Sequence, residues 1–200
     1  MAIKTFTTGE VLTASDTNTY LANSGLVLLN PTSVTNGTVT SGQGTVRVAG
    51  TATTVTINGV FSATQEDYLI VSKLSFTGGD VTFQLTSAGT PAGGTSYNYS
   101  MMQAYAGAGV TTTRTAGVAN HVFMSNGGGV YQSCTMDVFA PFLAQATLFQ
   151  VQNLRNDASY GVPANYLWYG NNDNATSYDG FRLTGAGNIT GTIAVYGRRL

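Results

Sequence analysis

Charge is what this sequence lacks most. Only 8% of its 200 residues are Asp, Glu, Lys or Arg, compared with roughly 25% in ordinary soluble domains. It also lacks an apolar run long enough to cross a bilayer. The surface must therefore be built from neutral polar residues, and Thr, Ser, Asn, Gln and Gly are abundant. Such a surface is typical of an extracellular or particle-borne β-protein and is unusual for a cytosolic metabolic enzyme.

Cysteine and histidine occur once each, which removes most catalytic and metal chemistry. Cys134 has no partner for an intrachain disulfide, and the alternation of CTMDVF predicts that it faces the core and is inert. His121 would have to serve any Ser-His or Cys-His nucleophile, yet the sequence contains no G-x-S-x-G elbow. We therefore assign His121 a structural or surface role and predict a protein that is not an enzyme and holds no cofactor.

Acidic pairs suited to glycan hydrolysis are equally scarce. Glu66 and Asp67 are adjacent, but neighbours on an extended chain point in opposite directions, whereas glycosidase carboxylates flank the sugar from separate elements. Asp137, Asp173 or Asp179 remains available as a distant partner. A polysaccharide depolymerase is thus retained only as the weakest alternative.

Basic residues are too few and too scattered for a nucleic-acid site. The chain has eight Lys and Arg residues and a net charge of −1, and they form no patch in sequence. Met1–Lys4 is followed by a polar run instead of the apolar segment of a signal peptide. We expect no nucleic-acid partner, no membrane insertion, and release by lysis or particle assembly.

The first 30 residues differ in character from the rest. Ser15 or Thr13 can cap a short helix over residues 16–23, and Gly25 can end it. Because one or two helical turns are unstable alone, the apolar residues of this segment need a partner. We predict an attachment and oligomerisation arm over 1–30, with folding back onto its own domain as the alternative. We also predict a linker, or loosely held strands, over 31–43, and a homo-oligomer in the form of a trimer. The candidate attachment residues are Val11, Leu12, Tyr20 and Leu21.

From about residue 44 the hydrophobic period becomes two. Val81, Phe83 and Leu85 alternate with Thr82 and Gln84, and similar short strands recur up to the C-terminal end of the sequence. The pattern predicts an all-β fold, an antiparallel β-sandwich of jelly-roll or Greek-key type over 44–200. Gly78-Gly79-Asp80 predicts a hairpin from Tyr68 to Leu85.

Two Gly- and Asn-rich stretches, 87–117 and 155–180, read as long loops, which are often functional. The second holds clustered aromatics beside Asn and Asp, a combination suited to stacking on sugars or docking a protein. Tyr160, Tyr178, Asn172 and Asp173 are the candidate contacts with a host glycan or protein, while Trp168 is expected in the core. The spacing is not that of an EF-hand, and calcium binding in this loop is left open.

Several phrases together resemble one family. FTTGEVLTASDTNTYLANSGLV is similar to the N-terminal segment of tail-associated structural proteins of tailed bacteriophages. INGVFSATQEDYLIV, DVFAPFLAQAT, TSYDGFRL and GNITGTIAVYGRRL resemble the β-rich domain that follows there. The resemblance implies a trimeric virion protein, assembled in the host cytoplasm and exposed on the particle. In this interpretation the arm binds other virion proteins and the β-domain is displayed to the host. A capsid decoration or head-fibre protein would share every one of these features.

Overall fold

The structure is a computed structural model that describes residues 8–9, 11, 13, 25–39, 44–105, 108–125, 127–128, 131–157 and 162–198. It is all-β, with antiparallel pairing throughout and no helix in these ranges. The strands are β1 Leu26–Leu28, β2 Ser33–Thr35, β3 Thr38–Val39, β4 Val46–Asn58, β5 Asp67–Gly78, β6 Val81–Ser87, β7 Thr90–Pro91, β8 Tyr97–Tyr105, β9 Ala108–Val118, β10 His121–Met124, β11 Gly127–Gly128, β12 Gln132–Phe139, β13 Thr147–Asp157, β14 Val162–Asn172 and β15 Gly180–Arg198. The all-β prediction is confirmed.

The longest strand, β15, organises the sheet. Along one side it pairs with β4, and along the other it pairs first with β6 and then with β5. From β5 the sheet continues through β12, β13, β14 and β8 to β9, whereas β10 pairs with β6 at the opposite end. Seven neighbouring strands, from β15 to β9, thus form one broad surface.

The predicted hairpin from Tyr68 to Leu85 is wrong. Gly78-Gly79-Asp80 does connect β5 to β6, but the two strands run in the same direction along β15. Gly187 of β15 lies beside this connection, where a Cβ would come within 2.2 Å of the Thr77 carbonyl oxygen. The glycines therefore connect two consecutive strands without reversing the direction of the chain, because β5 and β6 both pair with β15.

The core consists of alternating side chains from these strands. Rings from β6 and β10 contact rings from β13 and β8, strands to which neither is hydrogen-bonded. Phe83 lies 5.5 Å from Phe149, and His121 lies 4.9 Å from Tyr99. Cys134 and Trp168 are each 1% exposed, which confirms both sequence-based assignments to the core.

The sheet begins earlier than the predicted domain boundaries. Leu26, Val27 and Leu28 pair with β15, and β2 and β3 pair with β4. The end of the predicted arm and part of the predicted linker are therefore strands, because free backbone groups on β15 and β4 are available to them. The predicted helix over 16–23 lies outside the described residues. No helix long and apolar enough to span a membrane occurs in the part of the chain that the structure describes.

Most of the two predicted loops is also strand. The first stretch contains β8 and β9, which pair from Tyr97 to Tyr105, and the second contains the end of β13 and all of β14. Thr-rich sequence is compatible with a pleated surface when a partner strand is present. Residues 173–179 remain as a connection between β14 and β15.

Candidate functional site

The predicted contact residues separate into different environments. Tyr178 is 2% exposed, and its hydroxyl donates a hydrogen bond to Asn172 Oδ1 at 3.4 Å. Asn172 is fully buried and donates to Ser96 Oγ at 2.9 Å. Asp173 is exposed, and Tyr160 lies outside the described residues. Tyr178 and Asn172 are therefore corrected from exposed contacts to buried residues, because the chain after β14 turns back over the end of the core.

The predicted attachment residues are described only in part. Val11 is 79% exposed, which is compatible with an arm whose apolar residues are buried only against a partner. Leu12, Tyr20 and Leu21 lie outside the described residues. The arm therefore stays a prediction.

Tyr169 is the aromatic residue that the structure exposes in this region. It follows the buried Trp168 on β14, so that strand alternation turns its ring to the outer face, where the residue is 47% exposed. Sequence reasoning grouped Tyr169 with the aromatic cluster but selected Tyr160 and Tyr178. The sequence did contain a signal that Tyr169 is exposed. Trp168, which was expected in the core, precedes it, and neighbouring residues on a strand face opposite sides.

The strand register places Tyr169 opposite Ser100 of β8, and Ser100 opposite Arg114 of β9. With strands about 4.8 Å apart, the backbones carrying Tyr169 and Arg114 are separated by about 10 Å. A small side chain between two large ones leaves a depression. Residues from these three strands line a shallow groove of about 300 Å³ that contains all three of these residues.

One side of the groove is apolar and the other carries amides. Met102, which is 40% exposed, lies on the apolar side, and its partner across the strands is Leu167. Asn98 and Asn171, which are opposite each other in the register, lie on the other side. The groove is thus amphipathic across its width.

The amide side is held in place by hydrogen bonds. The Asn98 amide donates to Asp173 Oδ2 at 2.6 Å, and its oxygen accepts from the backbone N–H of Gly117 at 2.9 Å. The Asn171 amide donates to the other oxygen of Asp173. Each amide nitrogen retains a second N–H, so that both can still donate to a ligand. The candidate residue Asp173 therefore acts as the support that orients two amides at the groove.

Arg114 is the one charged residue that lines the groove. It is exposed, and its guanidinium has no hydrogen-bond or ion-pair partner among the described residues. Its five N–H donors in a planar fork suit a planar anion such as a carboxylate.

The two residues with potential catalytic chemistry are buried in the core. Burial lowers the pKa of His121 to about 4, and its Nδ1 contacts the Val122 carbonyl oxygen at 2.6 Å. Burial raises the pKa of the Cys134 thiol, which donates to the Phe123 carbonyl oxygen at 3.3 Å. Neither group lines the groove. Within the described ranges, no cluster of three or more His, Cys, Asp or Glu residues could hold a metal ion.

The groove therefore offers a stacking surface, oriented amides and an unpaired cation, which is the equipment of a binding site. No protein-family model matches the chain, and neither curated proteins nor solved structures yield a significant match.

Proposed function

We propose that this chain is a non-enzymatic structural protein of a bacteriophage particle, associated with the tail, that displays a β-domain to the host cell surface. The supporting sequence features are the sparse charge, the Thr- and Asn-rich composition and the resemblance of the N-terminal segment to tail-associated proteins. In this proposal the arm binds other virion proteins and the domain assembles as a homotrimer.

The displayed domain is proposed to be an antiparallel β-sandwich of jelly-roll or Greek-key type. Contacts between strands that are not hydrogen-bonded support two facing layers: Phe83 of β6 meets Phe149 of β13 at 5.5 Å, and His121 of β10 meets Tyr99 of β8 at 4.9 Å. The Tyr97 hydroxyl accepts a 2.7 Å hydrogen bond from the backbone N–H of Leu85 on β6. Such a layered core would hold the outer face of β14, β8 and β9 rigid for binding.

We further propose that the groove between Tyr169 and Arg114 contacts a glycan on the host surface. One observation carries this proposal. An exposed tyrosine stands beside amides whose orientation is fixed by Asp173, on a surface with little charge. Sugars present apolar C–H faces that stack on aromatic rings and hydroxyls that pair with amides. Because these groups lie on strands, little conformational entropy is lost when a ligand binds.

Adsorption of particles to host cells tests this function. Tyr169→Ala should reduce adsorption about tenfold, since an exposed aromatic anchor contributes on the order of 1–2 kcal/mol to binding, and should leave the melting temperature nearly unchanged. Tyr131→Ala is the matched control, because Tyr131 is 55% exposed and does not line the groove. Unchanged adsorption of the Tyr169 variant would exclude the groove as the host contact.

Labelling of intact particles tests the location. Label at the tail is the expected result. Label distributed over the capsid would instead establish the decoration or head-fibre alternative, and release of reducing ends from host polysaccharide would overturn the assignment as a non-enzyme.

A further inference from the structure

We infer that the ligand of the groove is an acidic glycan, one that carries a carboxylate such as a hexuronic or sialic acid. This inference rests on the proposed glycan-binding function and specifies its ligand class. It follows from the position and the unpaired state of Arg114.

Arg114 lies in the same cross-strand row as Tyr169, with only Ser100 between them. The backbones of these two residues are about 10 Å apart, which leaves space for one sugar ring over Ser100. An extended arginine side chain reaches several ångströms across the groove, so the guanidinium can contact a substituent of that ring. A ring that stacks on Tyr169 can thus direct an equatorial substituent towards the guanidinium. A single sugar residue can therefore contact both Tyr169 and Arg114.

Arg114 favours an anion at this position, because it is the one charged residue among those that line the groove. Among the described residues, Asp173 is the acidic group that hydrogen bonds connect to the groove, and its two oxygens accept hydrogen bonds from Asn98 and Asn171. Asp173 is therefore turned towards the amides. The guanidinium of Arg114 has no partner in the described part of the chain, so a ligand carboxylate could form a bidentate pair without displacing an internal ion pair.

The two sides of the groove match the two kinds of surface on such a sugar. Met102 can contact C–H groups on one edge of the ring, whereas Asn98 and Asn171 can bond hydroxyls on the other edge. A neutral glycan would use these contacts equally well but would leave Arg114 without a partner. The preference for acid therefore depends on Arg114 alone, while general affinity depends on Tyr169.

The test uses the full chain and a panel of immobilised oligosaccharides that contain hexuronic or sialic acids. Each oligosaccharide is paired with its carboxyl-reduced, neutral counterpart. The native chain should bind at least one acidic member about tenfold more tightly than the counterpart, as expected for one charge-assisted pair. Arg114→Gln should bind both forms equally, at the weaker level. Arg114→Lys should keep part of the preference, and Arg47→Gln, a change on β4 outside the groove, should keep all of it.

The outcomes separate the ligand class from the function. Equal binding of acidic and reduced forms by the native chain, or an undiminished preference in Arg114→Gln, would overturn the inference and leave the glycan-binding function intact. Binding of no acidic member would also overturn it. Loss of the function itself would instead appear as unchanged host adsorption of the Tyr169 variant.

Discussion

Gly170 of β14 faces the imidazole of His121 so closely that a Cβ at position 170 would lie 2.8 Å from His121 Nε2. The same Cβ would lie 2.5 Å from the carbonyl oxygen of Asn98 on the neighbouring strand. The absence of a side chain at Gly170 thus allows β14 to approach both β8 and the buried histidine. Tyr169 is the preceding residue, so this close packing also fixes the strand that carries the groove.

Gly170→Ala should therefore destabilise the fold by about 1–3 kcal/mol, the usual cost of overpacking a tight interior. Chemical denaturation of the variant measures this change. Gly93→Ala is the control, because a Cβ there would meet no atom within 4 Å, and it should change the free energy of unfolding little. Equal stability of the two variants would show that β14 and His121 can move apart without cost.

His121 should make stability depend on pH in the acidic range. Its pKa is about 4 in the folded chain because of burial, and about 6.5 when unfolded. The unfolded chain therefore binds the proton more tightly, so that stability is full above pH 6.5 and falls as the pH decreases towards 4. A difference of this size corresponds to about 3 kcal/mol in all. Below pH 4 both states are protonated and this contribution stops changing.

Carboxylates also titrate in part of this range, so the measurement is a comparison. Denaturant unfolding from pH 7.5 to 4 should show a steeper loss for the native chain than for His121→Leu, which keeps a buried apolar side chain of similar size. The expected difference develops mainly between pH 6.5 and 4. Parallel curves would mean that the pKa of His121 is the same in the folded and the unfolded chain.

Alternation along the chain predicted which residues are buried within strands, and it could not predict which strands pair. Cys134 was assigned correctly because CTMDVF alternates clearly. Trp168 was assigned correctly because neighbouring strand residues face opposite sides, so that Leu167 or Trp168 had to face the core. The hairpin after Tyr68 was wrong because its real partner, β15, lies about a hundred residues further on, and nothing in a Gly-Gly-Asp turn specifies such a distant strand. Non-local pairing is also why two Gly- and Thr-rich stretches were read as loops.

The candidate site was likewise predicted only in part. Composition indicated an aromatic and amide cluster near the end of β14, and the groove lies there. The partners Ser100 and Arg114 come from β8 and β9, which the sequence did not place beside β14. Tyr178 was misassigned because it follows the last alternating residue of β14, where the two-residue period gives no information about direction.

Tyr178 should behave as a core residue. Tyr178→Ala removes a buried ring and should cost about 3–5 kcal/mol, whereas Tyr178→Phe removes only the hydroxyl that bonds Asn172 and should cost about 1 kcal/mol. Thermal unfolding of the two variants checks the order and the size of these effects. If Tyr178→Ala melted like the native chain and reduced host adsorption, the buried position of this ring would be wrong.

Truncation at two points should separate the arm from the sheet. Deleting residues 1–24 leaves β1 intact, so the truncated chain should melt cooperatively near the native temperature while failing to join particles. Deleting residues 1–30 also removes the pairing of Leu26 with Arg198 and the 2.9 Å bond from the Leu29 N–H to the Val195 carbonyl oxygen. It further removes Leu29 from the edge of the core.

These losses amount to a few kcal/mol, so the melting temperature of the chain that lacks residues 1–30 should fall by about 5–10 °C. Circular dichroism of both truncated chains measures the difference. Identical melting curves would show that β1 is dispensable and would restore the boundary at residue 30, whereas an unfolded 25–200 chain would show that the arm belongs to the folded domain.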